Sequence, residues 1–222
     1  MGEAIGAMLA SAVGIAISPL PLIAVILLLA TPRGRTNGPA FAAGWTGGLA
    51  AVVALVAAAG SGLGTGGDEA TWNAWLRLAL GVLLLLLALR QWRRRPRAGH
   101  VIAPPSWMQE VDRFTAPRAA GLGLSLVLAN PKNLVLAVGG AAAVSATPGS
   151  GATRAVAGVL LVLIGSLCVL VPLGTSLVGG KRAARLLGEW KAWTAVHNAA
   201  VTTTVLAVLG ATYVGDALTV LG

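Results

Sequence analysis

The stretch Leu126-Val127-Leu128-Ala129-Asn130-Pro131-Lys132-Asn133 places a proline and a lysine about halfway along an apolar run. A similar interruption, Ser18-Pro19-Leu20-Pro21, falls about halfway along the first apolar run of the chain. When Pro19 is aligned with Pro131, the stretch from Gly14 to Pro19 superimposes on the stretch from Leu126 to Pro131, roughly half a chain length later. The paired interruption therefore predicts a chain built from two related halves.

The composition assigns the chain to the membrane class. Its 222 residues are 56% hydrophobic and only 10% charged, whereas soluble domains carry about 25% charged residues. The 30 glycines suit close-packed transmembrane helices, because small residues let helix backbones approach one another in lipid. The composition excludes a soluble enzyme with a buried catalytic core and predicts an all-α integral membrane protein.

Six apolar runs of membrane-spanning length follow one another along the chain. They cover residues 4–30, 38–60, 72–89, 119–144, 151–177 and 193–221. We predict one membrane domain over residues 1–222, with a first repeat at about 1–91, a basic loop at about 90–118 and a second repeat at about 119–222. Each half has three spans, so the second half enters the membrane from the opposite side. This is an inverted-topology repeat, which is typical of secondary transporters.

The distribution of basic residues predicts the orientation of the chain. Of the 16 lysines and arginines, 13 fall in the loops after the first, third and fifth spans, while the opposite side carries only Arg77 and Arg154. By the positive-inside rule the 13-residue side is cytoplasmic, so both termini face outward. The net charge of +9 is therefore interpreted as an orientation signal and a contact for anionic lipids, not as a nucleic-acid site.

Two segments on the basic side have an interfacial pattern. Trp107, Met108, Val111 and Phe114 recur at helical spacing, which predicts a short amphipathic helix on the inner membrane surface. The alternative is a solvated linker whose charges are attracted to lipid. Residues 181–193 are likewise predicted to form an interfacial segment before the last span.

The prolines of the first and fourth spans should leave backbone carbonyls without helical partners. Proline lacks an N–H and blocks the bond to the carbonyl four residues earlier. Free carbonyls at membrane depth are tolerated only inside protein or along a watery cavity, and matched interruptions in two halves indicate a transporter's binding site. The alternative is a pair of harmless kinks. The carbonyls four residues before Pro19, Pro21 and Pro131 are those of Ile15, Ile17 and Val127.

Lys132 is predicted to lie deep in the membrane, ~20 Å from the start of its span at 1.5 Å per residue. A charge at that depth is costly by ~3 kcal/mol or more and needs a partner. No Asp or Glu lies within a span interior, so the remaining partners are freed carbonyls, Ser18, Asn130, Asn133, water or an anionic substrate group. A fixed cation without a counter-ion suits an anion; a snorkelling or neutral lysine is the alternative.

The last span carries a polar stripe at helical spacing. Thr194, Asn198 and Thr202 recur every four residues and should face the helix bundle rather than lipid. His197, beside them, is either a proton carrier or a satisfied interfacial histidine. In the second span, Gly44 and Gly48 form a G-x-x-x-G pattern that marks either packing within the chain or a dimer face.

The sequence argues against catalysis, a metal and a cofactor. Intramembrane hydrolysis needs general acids and bases or a metal, yet the two histidines lie in a loop and near a span end. Cys168 is the single cysteine, so a thiol–disulfide relay has no second thiol. We therefore predict a protein that is not an enzyme and uses no cofactor.

These residues together resemble one protein family. The proline-containing first span, the loop Thr31-Pro32-Arg33-Gly34-Arg35, the pair Gly44-Trp45, the segment from Trp107-Met108 to Asp112, and Asn130-Pro131-Lys132-Asn133 resemble the GAP family. These are the Sap (sulfolipid- or peptidoglycolipid-addressing) proteins of actinobacteria, within the LysE superfamily of exporters. The resemblance covers nearly the whole chain.

The resemblance implies a LysE-like fold of two inverted three-helix repeats in the inner membrane, a homodimer, and a role in moving cell-envelope glycolipids or other lipid-linked cargo outward. A larger lipid transporter is a further possible partner. Carried across residue by residue, the implied substrate site comprises Ser18, Pro19, Pro21, Asn130, Pro131, Lys132 and Asn133.

Three functions remain open on the sequence. The first is an exporter or flippase for an anionic amphipathic substrate, a lipid above all. The second is a LysE-like exporter of an amino acid or other small polar metabolite, although a cationic amino acid would also need an acidic partner that no span supplies. The third is a non-transporting scaffold that assists a lipid transporter.

Overall fold

The computed structural model describes residues 1–62, 67–93, 108 and 110–221 of the chain. These described residues are helical almost throughout and contain no strand. The helices are α1 (Gly2–Ala16), α2 (Pro19–Ala30), α3 (Gly34–Gly62), α4 (Gly67–Arg93), α5 (Ala116–Leu128), α6 (Pro131–Ser145), α7 (Gly151–Gly165), α8 (Leu167–Val178) and α9 (Gly180–Leu221). The predicted all-α membrane class is confirmed.

Three of the helices, α3, α4 and α9, are each long and apolar enough to cross a membrane. Three further helix pairs meet that criterion only together, because each is bent at a short break. The bend is 51° between α1 and α2, 69° between α5 and α6, and 59° between α7 and α8. The described residues therefore provide three clear spans, and up to six if each bent pair crosses once.

The breaks in the first and fourth predicted spans occur at the two prolines. Ser18 and Asn130 are extended, with φ/ψ of −100°/111° and −90°/106°, and Pro19 and Pro131 begin the next helices. A residue that precedes proline is pushed out of the helical region by the proline ring, while proline itself suits the first helical position. The predicted positions of both interruptions are thus confirmed.

The bend between α7 and α8 was not predicted. Ser166 keeps helical dihedrals there, and its carbonyl accepts bonds from the N–H groups of Val169 and Leu170, both at 2.9 Å. The chain therefore bends without an extended residue. Two signals in the sequence explain it: the Gly165-Ser166 pair, of a kind found at helix kinks, and Pro172, whose ring disfavours the bond to the carbonyl of Cys168.

The helices pack in a small number of extensive pairs. α4 runs along α9, α3 along α5, α1 against α6 and α7, and α2 against α8 and α9. α3 and α5 approach each other closely at Gly44 and Gly123, where an added Cβ would collide with the backbone of Ala120 and of Phe41 respectively. The Gly44–Gly48 pattern therefore marks packing within the chain, since Gly48 also faces α5 through Leu124.

The described part of the segment before α5 differs from the prediction. Residues Val111–Arg113 form one 3-10 turn instead of an α-helix, and the side chains of Val111 and Phe114 are buried against the bundle. Asn37 of α3 donates a hydrogen bond to the carbonyl of Phe114 at 2.9 Å. Val111 and Phe114 therefore pack inward and do not face the membrane surface. Trp107 lies outside the described residues.

Residues 181–193, predicted to form an interfacial segment, are the first turns of one continuous helix, and their position at the interface stays a prediction. α9 has 42 residues, or ~63 Å at 1.5 Å per residue, and it starts at Gly180, whose φ of +51° suits glycine at the tight turn from α8. Ala183, Leu187 and Thr194 are buried at helical spacing. The first turns of α9 therefore follow the bundle because one face of them packs against it.

Candidate functional site

Lys132 lies in the first turn of α6 and is only 4% exposed. Its ammonium Nζ donates to the carbonyl of Gly14 at 2.9 Å and, more weakly, to that of Ile17 at 3.5 Å. Both carbonyls belong to the C-terminal end of α1, where the helix dipole favours a cation. Lys132 thus caps the broken end of a helix from the other half of the chain.

Asn133, the next residue, connects the same two breaks. The hydroxyl of Ser18 donates to Asn133 Oδ1 at 2.7 Å, and Asn133 Nδ2 donates to the carbonyl of Leu126, near the end of α5, at 3.4 Å. The side chain of Asn130 caps α6 by accepting from the N–H of Lys132 at 3.1 Å. The structure therefore brings Ser18, Asn130, Lys132 and Asn133 together, with Pro19, Pro21 and Pro131 at the same two junctions.

The carbonyls that these side chains satisfy differ slightly from the predicted set. Ile17 was predicted to be free and is bonded by Lys132. The other two acceptors are Gly14 and Leu126, each one residue earlier than the predicted Ile15 and Val127. The shift arises because α1 already ends at Ala16, so the carbonyl of Gly14 also loses its helical donor.

The charge of Lys132 has no acidic partner among the described side chains. Among the described side chains the structure shows one ion pair, between Arg185 and Glu189 at 3.7 Å, and it is solvent-exposed on α9. Backbone carbonyls therefore solvate the ammonium, and no described carboxylate neutralises it. This is an arrangement in which an anion could replace the carbonyls, because a formal positive charge is left uncompensated.

A cavity of about 300 Å³ adjoins the first break. Ile17, Ser18 and Pro19 form one side of it, α8 forms the second, and Trp190, Trp193 and Thr194 of α9 belong to the third. The cavity was not predicted. The tryptophans flank the basic Lys191, as in an aromatic belt, but nothing in their spacing indicates that they approach the first break.

The polar stripe of the last span faces the bundle only in part. Thr194 is buried and lines the cavity, and Thr202 donates to Asn198 Oδ1 at 3.3 Å along the helix. His197 is exposed; its Nδ1 lies 2.8 Å from the carbonyl of Trp193 and its ring stacks on Trp193 at 4.4 Å. This setting suits an interfacial histidine, and a proton-carrying role remains a prediction.

A second buried contact that the sequence did not indicate joins the ends of the chain. Ser11 of α1 and Tyr213 of α9 are hydrogen-bonded through their hydroxyl groups, and the ring of Tyr213 lies over Gly139 of α6. The large ring of Tyr213 fits against the small residues Ser11 and Gly139, and these three residues lie on helices far apart in the sequence. A single-helix pattern could not have revealed it.

These features define an α-helical integral membrane protein with two proline breaks joined across a buried lysine. The chain belongs to the Sap, sulfolipid-1-addressing protein family, whose sequence model matches residues 8–219. The resemblance drawn from the motifs is therefore confirmed at the level of that family, while membership of the LysE superfamily stays a prediction. A search of curated proteins and one of solved structures return no significant match.

Proposed function

We propose that the protein exports an anionic amphipathic lipid across the bacterial inner membrane, acting as an exporter or flippase. The observation that carries this proposal is the meeting of two proline breaks at Lys132, a buried cation bonded only to backbone carbonyls among the described residues. The family name refers to the addressing of a sulfolipid, which fits a cargo with an anionic headgroup.

The proposal includes six spans arranged as two inverted three-helix repeats, as in LysE-like exporters. The predicted symmetry relates α1 to α5, α3 to α7 and α4 to α9. The contacts are consistent with it, because the α3–α5 pair corresponds to the α7–α1 pair, and α4 and α9 pack on each other. Gly14 and Leu126, which occupy equivalent positions in the aligned stretches, are both bonded by the first turn of α6. A homodimer rests on the resemblance alone, and a larger partner transporter belongs to the scaffold alternative.

The mechanism would exploit the exchange of partners at Lys132. With the carbonyls of Gly14 and Ile17 as acceptors, the ammonium holds the end of α1 against α6. An anionic headgroup that takes over these bonds would release α1 and favour a different angle at the break. A ligand shifts such an equilibrium only by its differential affinity for the two states, so the neutral form of the same lipid should be a poor substrate. We further propose that the protein performs no enzymatic step on its cargo.

A second candidate, a non-transporting scaffold for a lipid transporter, is favoured by one observation. The bonds from Lys132 to two carbonyls are what a purely structural cap would also make. Stability and transport must therefore be measured on the same variants.

The test uses purified protein in liposomes that contain phosphatidylglycerol with a fluorescent NBD headgroup. Dithionite added outside bleaches outer-leaflet lipid, so the wild type should expose a larger fraction to bleaching than protein-free vesicles do. Lys132→Met should abolish this difference while lowering stability by only about 1–3 kcal/mol, the usual cost of leaving buried acceptors unpaired. Arg118→Met is the matched control, because Arg118 is an exposed base on α5, away from the breaks, whose loss should change neither quantity.

Each result assigns a role. Normal transport by Lys132→Met contradicts the site, and an unfolded Lys132→Met supports the scaffold. No lipid movement by the folded wild type contradicts the proposed function itself. A zwitterionic NBD lipid that moves as fast as phosphatidylglycerol would exclude recognition of the anion.

A further inference from the structure

We propose that the cavity beside the first break binds an acyl chain of a membrane lipid, which enters from the lipid phase between α2, α8 and α9. This inference deepens the proposed function, on which it rests for the identity of the cargo, since the chain would be the apolar part of the transported lipid. The walls of the cavity on α8 and α9 belong to neither interruption.

The wall of the cavity suits hydrocarbon. α8 contributes Leu167, Val171 and Pro172, and Leu22 and Val201 face them from α2 and α9. None of the described residues that line the cavity is charged. Its hydroxyl groups belong to Ser18 and Thr194, both buried, and that of Ser18 already donates to Asn133. An ion placed here would be desolvated without a partner, whereas an alkyl chain loses nothing.

The mouth of the cavity opens at membrane depth. Ile17 and Leu167 are each 45% exposed, and Val171 is 44% exposed. All three lie near the middle or in the second half of bent helix pairs of membrane-spanning length. Exposed apolar side chains at that depth face lipid tails, since the hydrocarbon core excludes water over about 30 Å. The adjacent occupant is therefore a lipid chain.

Charge and aromatic residues place the headgroup at the cytoplasmic end. Trp190 and Trp193 line the cavity on either side of Lys191, and Arg182 and Arg185 lie earlier on the same helix. Tryptophan prefers the level of the headgroups, and basic residues on the cytoplasmic side attract anionic lipid. Before transport, the lipid therefore lies in the inner leaflet with its headgroup at the start of α9 and its chain directed toward Ser18. Its headgroup reaches Lys132 only in a later step.

The position of the cavity links chain binding to the break. Ile17, Ser18 and Pro19 line the cavity, and two of them also bond to α6, through the carbonyl of Ile17 and the hydroxyl of Ser18. A chain that fills the cavity thus contacts the extended residue between α1 and α2. Occupancy and the angle of the break are coupled through direct contact.

The experiment uses phosphatidylglycerol with a diazirine near the end of one acyl chain, incorporated at low fraction into vesicles with the full-length protein. After irradiation, the labelled residues are mapped by mass spectrometry. We expect labelling of α8 and α9 at the cavity to exceed that of the α7 face around Val159, an exposed valine outside the cavity. Val171→Trp fills the cavity and should reduce that labelling about tenfold, equivalent to about 1.4 kcal/mol, while Val159→Trp leaves it unchanged.

Equal labelling of the cavity and the Val159 face, or labelling that persists in Val171→Trp, would show ordinary surrounding lipid and overturn the proposal. So would crosslinking of two copies through this face without lipid labelling. If Val171→Trp does not fold, Val201→Trp takes its place. The dithionite assay on the same samples separates the two ideas: cavity labelling without lipid movement contradicts export alone, and movement without cavity labelling contradicts the acyl-chain site alone.

Discussion

At the first turn of α6, two neighbouring side chains hold the ends of two different helices. Lys132 binds the end of α1, and Asn133 receives a hydrogen bond from Ser18 while donating one toward the end of α5. Asn133 is fully buried and Ser18 is 2% exposed. Hydrogen bonds that replace lost helical bonds in such surroundings are costly to remove, because no water can take the place of the missing partner.

The Ser18–Asn133 bond should show a measurable coupling energy. We expect Ser18→Ala and Asn133→Leu each to lower the free energy of unfolding by about 1–3 kcal/mol, since each leaves a buried polar group unpaired. The double variant should cost less than the sum by about 0.5–3 kcal/mol. Ser125→Ala is the control, because that hydroxyl bonds within α5 at an exposed position. Additive single effects would show that the two residues act independently.

At the scale of the helices, local chemistry explains what the sequence could predict. Pro19 and Pro131 act on the residue before them and on the carbonyl four residues back, so both breaks were predictable from sequence. The α7–α8 bend was missed because no proline stands at the junction; Ser166 stays helical there. The prediction of a surface helix from Trp107 to Phe114 was wrong for Val111 and Phe114, because their side chains pack against the helix bundle and not against the membrane.

Two glycines of α3 test how closely α3 and α5 approach each other. Gly44 and Gly47 lie three residues apart on α3, but a Cβ at Gly44 would collide with the backbone of Ala120, whereas one at Gly47 has no heavy atom within 4 Å. Gly44→Ala should therefore lower the free energy of unfolding by about 1–3 kcal/mol by forcing α3 and α5 apart. Gly47→Ala should leave stability unchanged or raise it by up to about 1 kcal/mol through helix propensity.

The measurement is unfolding of both variants in the same detergent, followed by circular dichroism. A Gly44→Ala protein as stable as Gly47→Ala would mean that the two helices do not approach as closely in the membrane as the structure has them.

At the scale of the whole molecule, the sequence indicated which residues are unusual but not how they meet. The predicted site residues converge because the break between α1 and α2 meets the break between α5 and α6, a relation between segments more than 100 residues apart, such as Ser18 and Asn133. The cavity also requires α8 and α9. Its two tryptophans line it because Gly180–Leu221 is one continuous helix that carries them along the bundle. Hydropathy gives the depth of each residue, whereas packing decides which neighbour it faces.

The orientation of the whole molecule gives the last prediction. The loops after the first, third and fifth predicted spans hold 13 of the 16 basic residues, so the start of α9 should be cytoplasmic and the α6–α7 junction external. Ala184 and Ala146 are exposed residues at these two places, and single cysteines there, in a Cys168→Ala background, report the side directly. An impermeant maleimide on intact cells should label Ala146→Cys, and Ala184→Cys should react only after permeabilisation. The reverse pattern would place both termini in the cytoplasm and direct the proposed transport inward, because the acyl-chain cavity would then open toward the outer leaflet.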